Sequence, residues 1–404
     1  MNARPISLSS ADLTVFFDPR HIELGERLTR DLAPRGDLGA RLSGDAADVA
    51  REMGSSHYGL YAHLIPEAYG GAAAGAPSRP SFIDVRSLVL IREALGQVSP
   101  LADAIFAVQG LGSYPIVLAG SKEQRRRYLP DVISGQRIGA FALTEPEAGS
   151  DVASLRTRAR REGGQWILDG EKTLISNVPL AHHYIVFATT DPSAGRKGIA
   201  AFVVESGTAG IEVGPLPMSI PHPVGRLRFT GCRVPEDAML GGAGAGFKLA
   251  MEALDAFRIS VGAAANGMAR HALTASIAHV SSRRQFGVPL SDQQIVRAYL
   301  SDMATELDAA RLLVARAAHK RDVTGERVSV EAAMAKMYAT EAAQRIIDHA
   351  VQLHGGAGVL VGSDVESLYR EIRPLRIYEG TTEIQKLIIA KGLLEAAGVG
   401  RLTP

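Results

Sequence analysis

Apolar residues recur at three- and four-residue steps through the first third of the chain. In residues 84–96, Val85, Leu88, Ile91 and Leu95 would share one helical face. Ser121 followed by Gln124 has the form of a capping box and predicts a helix carrying Tyr128 and Leu129. Pro66, Pro80, Pro100 and Pro115 punctuate this part. The period changes near Ile138. Residues 165–170 read as a strand entering a turn, and 184–189, 199–204 and 227–229 are short β-branched or apolar runs separated by Asp, Gly and Pro. Strands at this spacing predict a compact β domain or barrel. From Phe247 the helical period returns, in Ala-rich 259–277, in 295–321 through Leu300, Met303, Leu307, Leu312 and Val314, in 328–353, and in 384–394. Gly355-Gly356 is a helix stop. The order is helical, β, helical: an α+β chain with an N-terminal helical domain over 1–138, a middle β-barrel domain over 139–242 and a C-terminal helical bundle over 243–404.

Length and composition agree with a multidomain globular chain. There are 404 residues, 46% apolar and 22% charged. The formal net charge of +1 gives no global field for nucleic acid or anionic lipid. Arg125-Arg126-Arg127 reads as a solvated helix face. The one cysteine, Cys232, can neither close an internal disulfide nor build a zinc site alone, and its strand-like surroundings suit a buried small hydrophobe. Residues 1–10 lack the form of a signal peptide, and no run approaches the ~18 uninterrupted apolar residues of a membrane span. The expected location is the cytoplasm.

Two glycine-rich segments invite a nucleotide-binding reading and fail it. Residues 241–246 lack the Gly-x-Gly-x-x-Gly spacing because Phe247 stands at the last glycine, and 356–358 fails likewise at Val361. His182-His183 suggests a metal, but adjacent histidines diverge on most backbones and no carboxylate cluster supports them, so none is expected.

Chemistry concentrates elsewhere. Residues 141–151, Phe-Ala-Leu-Thr-Glu-Pro-Glu-Ala-Gly-Ser-Asp, read as a strand end and a glycine turn whose N–H groups and hydroxyls could bond a flat heterocycle and a pyrophosphate. This segment resembles the flavin-binding signature of acyl-CoA dehydrogenases. The resemblance continues at 170–177 (Gly-Glu-Lys-Thr-Leu-Ile-Ser-Asn), at 283–287 (Arg-Arg-Gln-Phe-Gly) with Gln294 beyond, at 352–358 (Gln-Leu-His-Gly-Gly-Ala-Gly), and at 377–385 (Ile-Tyr-Glu-Gly-Thr-Thr-Glu-Ile-Gln). Five motifs agree in order from about residue 60 to residue 394. The chain is identified on them as similar to that family, which implies FAD between the β domain and the C-terminal helices, a neighbouring subunit closing the site, and a homotetramer or homodimer.

The resemblance also implies roles. Phe141, Leu143, Thr144, Gly149 and Ser150 would contact the flavin and its phosphates, Ser150 reaching substrate as well. Leu174 would shield the ring and Ser176 would lie near flavin N5, where a hydroxyl stabilises accumulating charge. Arg283 would pair with the pyrophosphate as a guanidinium fork, with Phe286 and Gln294 on the adenine side. Gln352, Gly355 and Gly356 would reach FAD from another subunit, and Thr381 and Glu383 would complete the contacts. Glu379 matches the base that removes an α-proton from an acyl thioester. Asp255 and Arg258 match a pair near the thioester, Arg258 ordering the loop of Tyr378 and Glu379, and Phe247 would line the pantetheine channel. Some members carry the base at the position of Phe257, which cannot accept a proton.

Three positions depart from the family pattern: Leu174 replaces a common aromatic, Glu371 replaces Asp, and Met218-Ser219-Ile220-Pro221-His222-Pro223-Val224 replaces a polar Gly- and Arg-containing turn. The last puts recognition of the carrier in question, an acyl carrier protein thioester being the alternative to acyl-CoA. The expected reaction is α,β-dehydrogenation to a 2-enoyl thioester, with an electron-transfer flavoprotein as acceptor. The alternatives are an oxidase or monooxygenase on the same scaffold, and a non-catalytic flavoprotein binding module.

Overall fold

The computed structural model describes residues 13–32, 42, 44–74 and 82–399. Residues 1–10 and Pro80, read above from sequence, lie outside them. Among the described residues six α-helices come first: α1 (Pro19–Asp31), α2 (Ala46–Gly54), α3 (Val85–Val98), α4 (Pro100–Leu111), α5 (Tyr114–Ala119) and α6 (Lys122–Ile133). α3 covers the periodic stretch at 84–96. The capping box opens α6 as expected, Gln124 N donating to Ser121 Oγ at 3.1 Å and Ser121 N to Gln124 Oε1 at 2.7 Å. The stretch Pro100–Ala119 is apolar enough to cross a membrane, with mean hydropathy 1.4, but 83% of it is buried in the protein. Its apolar side chains are core.

The middle of the chain forms β1 (Gly139–Ala142), β2 (Arg158–Glu162), β3 (Gln165–Ser176), β4 (His183–Thr189), β5 (Ile199–Glu205), β6 (Ile211–Pro215), β7 (Val224–Pro235) and β8 (Met239–Leu240). They make one eight-stranded sheet in the order β6-β7-β3-β2-β4-β5-β8, with β1 parallel to β4. Among the described residues the end strands β6 and β8 are not paired with each other, so the expected barrel is seen as a sheet. β3 is longer than the predicted strand because it runs on through the second motif. Its register against β7 shifts between Leu168 and Gly170 and again between Lys172 and Ile175. Such irregularities re-aim side chains, and the second contains Leu174.

Five helices follow: α7 (Gly246–Ser282), α8 (Gln294–Thr324), α9 (Ser329–His354), α10 (Asp364–Glu371) and α11 (Thr382–Ala396), with a small hairpin of β9 (Arg284–Gln285) and β10 (Val288–Pro289) after α7. Residues 241–246 form the turn into α7. A Cβ on Gly246 would stand 2.5 Å from the Ala200 backbone, so its glycine serves close packing and not a phosphate.

The chain divides into two compact units. The helical unit holds Met1–Ala40, Val85–Pro100 and Arg258–Pro404, so α1 and α3 group with the C-terminal helices. Small residues explain that grouping. A Cβ on Gly96 would lie 2.4 Å from Ala264 O, and one on Gly267 would lie 2.1 Å from Glu93 O, so α3 and α7 touch backbone to backbone. Buried ion pairs join α3 to α8 as well, Arg311 to Glu93 at 3.1 Å and Arg86 to Asp322 at 3.2 Å. The sheet unit holds Arg41–Asp84 and Leu101–Phe257. Its core includes Tyr184, Val186, Phe202, Leu227, Phe229 and the fully buried Cys232, the small hydrophobe expected there.

Candidate active site

In the sheet unit the first two motifs lie side by side. Thr173 N donates to Thr144 O at 3.0 Å, tying the loop after β1 to β3. Phe141 packs on Phe187 at 4.9 Å between ring centroids. Beneath them Lys172, fully buried, donates to Glu145 at 2.7 Å and to Leu143 O at 3.1 Å. Glu145 also accepts from the backbone N–H groups of Arg156 and Thr157. Burial pushes the Lys172 ammonium down to about 8, the Glu145 carboxylate opposing the shift. Burial alone would raise the Glu145 carboxyl, but the charge and hydrogen bond of Lys172 bring it below the ordinary value. A buried pair with its lone pairs and protons satisfied can hold both charges. It pins Leu143 and the strand ends beside it, while Gly149 and Ser150 remain exposed.

At the end of β3 the backbone takes an unusual path. Four non-glycine residues among those described have left-handed φ: Leu174 (55°), Asn177 (63°), Phe286 (52°) and Glu379 (53°). Such conformations cost roughly 1–3 kcal/mol each and persist only where their surroundings enforce them. Three of the four were named from sequence as site residues, and the fourth adjoins Ser176. Leu174 is 60% exposed, an aliphatic side chain held out from the strand. Asn177 is buried, its amide donating to Ile105 O at 3.2 Å. Ser176 Oγ lies 2.9 Å from His222 Nε2.

The helical unit carries Glu379 on the turn between α10 and α11. Its carbonyl accepts from Arg258 Nε at 3.3 Å and from Gln385 Nε2 at 3.4 Å. The next carbonyl, of Gly380 at φ 93°, accepts from Lys336 Nζ at 2.8 Å and from Gln385 Nε2 at 2.9 Å. Three side chains from α7, α9 and α11 thus hold two successive left-handed residues. Lys336 is fully buried, and burial brings its ammonium down to about 8, against the pull of Glu379. Glu379 itself is half-buried. Thr381 caps α11 through Ile384 N, and Thr382 donates to Glu341, which also pairs with Arg376 at 2.8 Å. Glu383 is exposed in the first turn of α11.

The remaining named residues lie at helix ends. Arg283, Phe286 and Gln294 are exposed around the hairpin between α7 and α8, Phe286 at 95%. Gln352, Gly355 and Gly356 are exposed at the end of α9. His279 stacks on His354 at 4.3 Å, which brings the last turns of α7 and α9 together. Phe247 is half-buried at the start of α7, and Asp255 and Arg258 are buried further along it. Phe257 is fully buried against Tyr114, and a Cβ on Gly110 would meet its ring at 2.2 Å.

The adjacent histidines have structural duties. His182 Nδ1 accepts from Ile138 N at 3.1 Å, and buried His183 bonds Gly112 O at 2.9 Å. Arg125 and Arg127 are not merely solvated: the first lies over the Tyr69 ring and the second pairs with Glu205 at 3.0 Å.

Sequence reasoning missed Lys172, Glu145, Lys336, Gln385 and His222 as working residues. Lys172, Glu145 and Gln385 stood inside quoted motifs without a role. Lys336 had a readable signal, a lone charge among Ala332, Ala335, Ala339 and Ala343, which are all buried on α9.

Each unit carries groups whose chemistry suits part of a flavin nucleotide. The sheet unit offers Ser176 and Thr144 hydroxyls and an exposed aliphatic ledge at Leu174. The helical unit offers an exposed guanidinium at Arg283 beside an exposed aromatic, Phe286, whose strained backbone holds it outward. Ring, hydroxyl-bearing chain and pyrophosphate each have a matching chemistry.

Comparison with known proteins gives matching results. Profiles described as acyl-CoA dehydrogenase N-terminal, middle and C-terminal domains match residues 31–136, 140–232 and 244–394. The chain is 39% identical over 371 residues to an acyl-CoA dehydrogenase of Bacillus subtilis, covering 90% of this chain and 94% of that protein. It is 36% identical over 397 residues to a 3-(aryl)acrylate reductase of Clostridium sporogenes, covering 94% and 100%. A glutaryl-CoA dehydrogenase of Mycobacterium smegmatis, solved in complex with FADH2, superposes with a TM-score of 0.85 at 27% identity, covering 97% and 99%.

Proposed function

The chain belongs to the acyl-CoA dehydrogenase family, whose members are FAD-dependent, and we propose that it oxidises an acyl-CoA thioester to the 2-enoyl thioester with Glu379 as base. The observation that carries this reading is the clamped turn at Glu379. A carboxylate needs no left-handed backbone and no triple clamp to sit on a surface. The strain is explicable where a carboxylate must be presented in one orientation.

In this reading the Glu379 carboxylate takes the α-proton. Lys336, with Arg258 and Gln385, fixes the carbonyls of the turn. That also fixes the Glu379 N–H, which polarises the thioester carbonyl. FAD, when bound, supplies the two-electron acceptor for the departing β-hydrogen. Leu174 would cover its ring, Ser176 and Thr144 would bond it, and Arg283 would pair with its pyrophosphate, with Phe286, Gln294, Gln352, Gly355, Gly356, Thr381 and Glu383 completing the set that would hold it. Phe247, Asp255, Arg258 and Tyr378 serve the thioester. An electron-transfer flavoprotein takes the electrons onward. Exposed Leu387 (65%) and Leu393 (58%) on α11 support a homo-oligomer, and we place the enzyme in the cytoplasm.

A second direction has its own support, because the reductase relative is matched over its full length. The same groups run in reverse would return a proton from Glu379 to an enoyl thioester. Anaerobic titration of the FAD-loaded protein with straight, branched and aryl acyl-CoAs, followed by flavin absorbance, tests both. Bleaching by a saturated thioester supports dehydrogenation, and recovery of colour in prereduced protein on adding an enoyl thioester supports reduction. No response to any thioester in either redox state would refute the reading.

A further inference from the structure

The segment at 218–224 departs from the family pattern, and the structure gives it a use. His222 stands between Pro221 and Pro223, whose rings restrict φ. His222 N donates to Ile220 O at 2.8 Å, Val224 N to His222 O at 2.9 Å, and Asn177 N to Pro223 O at 2.7 Å. Val224 pairs with Ser176 where β7 meets β3. The imidazole is therefore held on a stiff turn stitched to the end of β3, and its Nε2 meets the Ser176 hydroxyl at 2.9 Å.

From this geometry we propose that His222 is a positioning residue for Ser176, setting which way that hydroxyl's proton points toward the isoalloxazine ring. The inference rests on the FAD reading of the site and deepens it. A neutral imidazole nitrogen either donates or accepts, according to tautomer. When Nε2 donates, the Ser176 oxygen is already an acceptor and its own O–H is directed elsewhere, suited to a ring nitrogen that accepts. When Nε2 accepts, Ser176 gives its proton to His222 and offers lone pairs to a ring N–H. Oxidised and reduced flavins differ in that respect at one nitrogen, so the tautomer that His222 adopts favours one redox state over the other. The imidazole must be neutral for this. Burial pushes its pKa down to about 4, so it is neutral at ordinary pH.

The test uses the FAD-loaded, full-length protein without acyl ligand. Flavin midpoint potentials are measured for wild type, His222→Leu, His222→Gln, Ser176→Ala and the Ser176→Ala/His222→Leu double variant. Imidazole 15N shifts are recorded for wild type and Ser176→Ala with and without FAD. A lost hydrogen bond that favoured one redox state should change the oxidised-to-reduced ratio at fixed poise by about tenfold, or about 30 mV for a two-electron couple. His222→Gln, which keeps a donor and an acceptor near Nε2, should restore it to within about twofold. The effect of His222→Leu should vanish in the Ser176→Ala background. An unchanged potential in flavin-replete His222→Leu would overturn the proposal, as would an equal shift in the Ser176→Ala background. Should His222→Leu lose its flavin, the 15N arm decides: a His222 resonance that ignores both Ser176→Ala and FAD overturns the proposal, and one that responds to both supports it. A wild-type protein that binds no FAD at all overturns the underlying reading, and this inference with it.

Discussion

Each unit buries one lysine completely, and burial brings both ammonium groups to about 8. In the sheet unit Lys172 bonds its carboxylate directly, Glu145 at 2.7 Å, and Glu145 accepts two further backbone N–H bonds. That carboxylate is occupied by structure. In the helical unit Lys336 directs its bond at the Gly380 carbonyl and acts on Glu379 through space. The difference shows how one kind of buried charge serves two ends. A lysine bonded to the acid fixes a strand, whereas a lysine bonded to the neighbouring main chain fixes the turn that carries the acid.

Variants test that contrast, beginning with the largest expected effect. Glu379→Gln should lower the rate of flavin bleaching by about 10⁴-fold, the upper range for a general base, while FAD content and thioester binding persist. Stopped-flow absorbance measures it, and undiminished bleaching would remove Glu379 from its role. Glu145→Gln leaves the Lys172 ammonium buried beside a neutral amide, and stability should fall by about 3–5 kcal/mol. Denaturant unfolding reads this, and the rate per bound flavin should change little. A large fall in that rate would erase the distinction between the two lysines. Lys336→Met should do the opposite, lowering the rate about a hundredfold through misplacement of the Glu379 turn. Stability loss without rate loss would place Lys336 with Lys172 as structural.

The smallest expected effect is a pH dependence. Burial pushes the Glu371 carboxyl up to about 7, the nearby Arg370 charge opposing it. The folded state then holds its proton more tightly than the unfolded one. The associated stability is present below the ordinary pKa of 4.5 and is lost as pH rises through 7. Glu371→Gln should therefore match wild type near pH 4 and exceed it above pH 7 by roughly 2 kcal/mol. Equal stabilities at both ends would show that the acid is not protonated in the fold.

Local pattern made much of this molecule legible. The predicted helices at 84–96, 295–321, 328–353 and 384–394 reappear with ends shifted by a few residues, because helical periodicity and capping are carried by near neighbours. Strand β3 was underestimated because its second half has no clean alternation. Its register shifts and the left-handed Leu174 break the period of two that a strand reading depends on. Phe257 was read as a residue that cannot accept a proton, and its packing on Gly110 and Tyr114 depends on partners more than 140 positions away.

The sequence by itself determined the element order and the five motifs, Glu379 standing in the last of them, since each rests on residues close together in the chain. Tertiary structure alone decided which groups hold them. Lys336 and Arg258 reach the Glu379 turn from 44 and 121 positions away, and His222 reaches Ser176 across 46. Burial and hydrogen-bond direction, which set the charge state and aim of those groups, exist only once distant segments have packed.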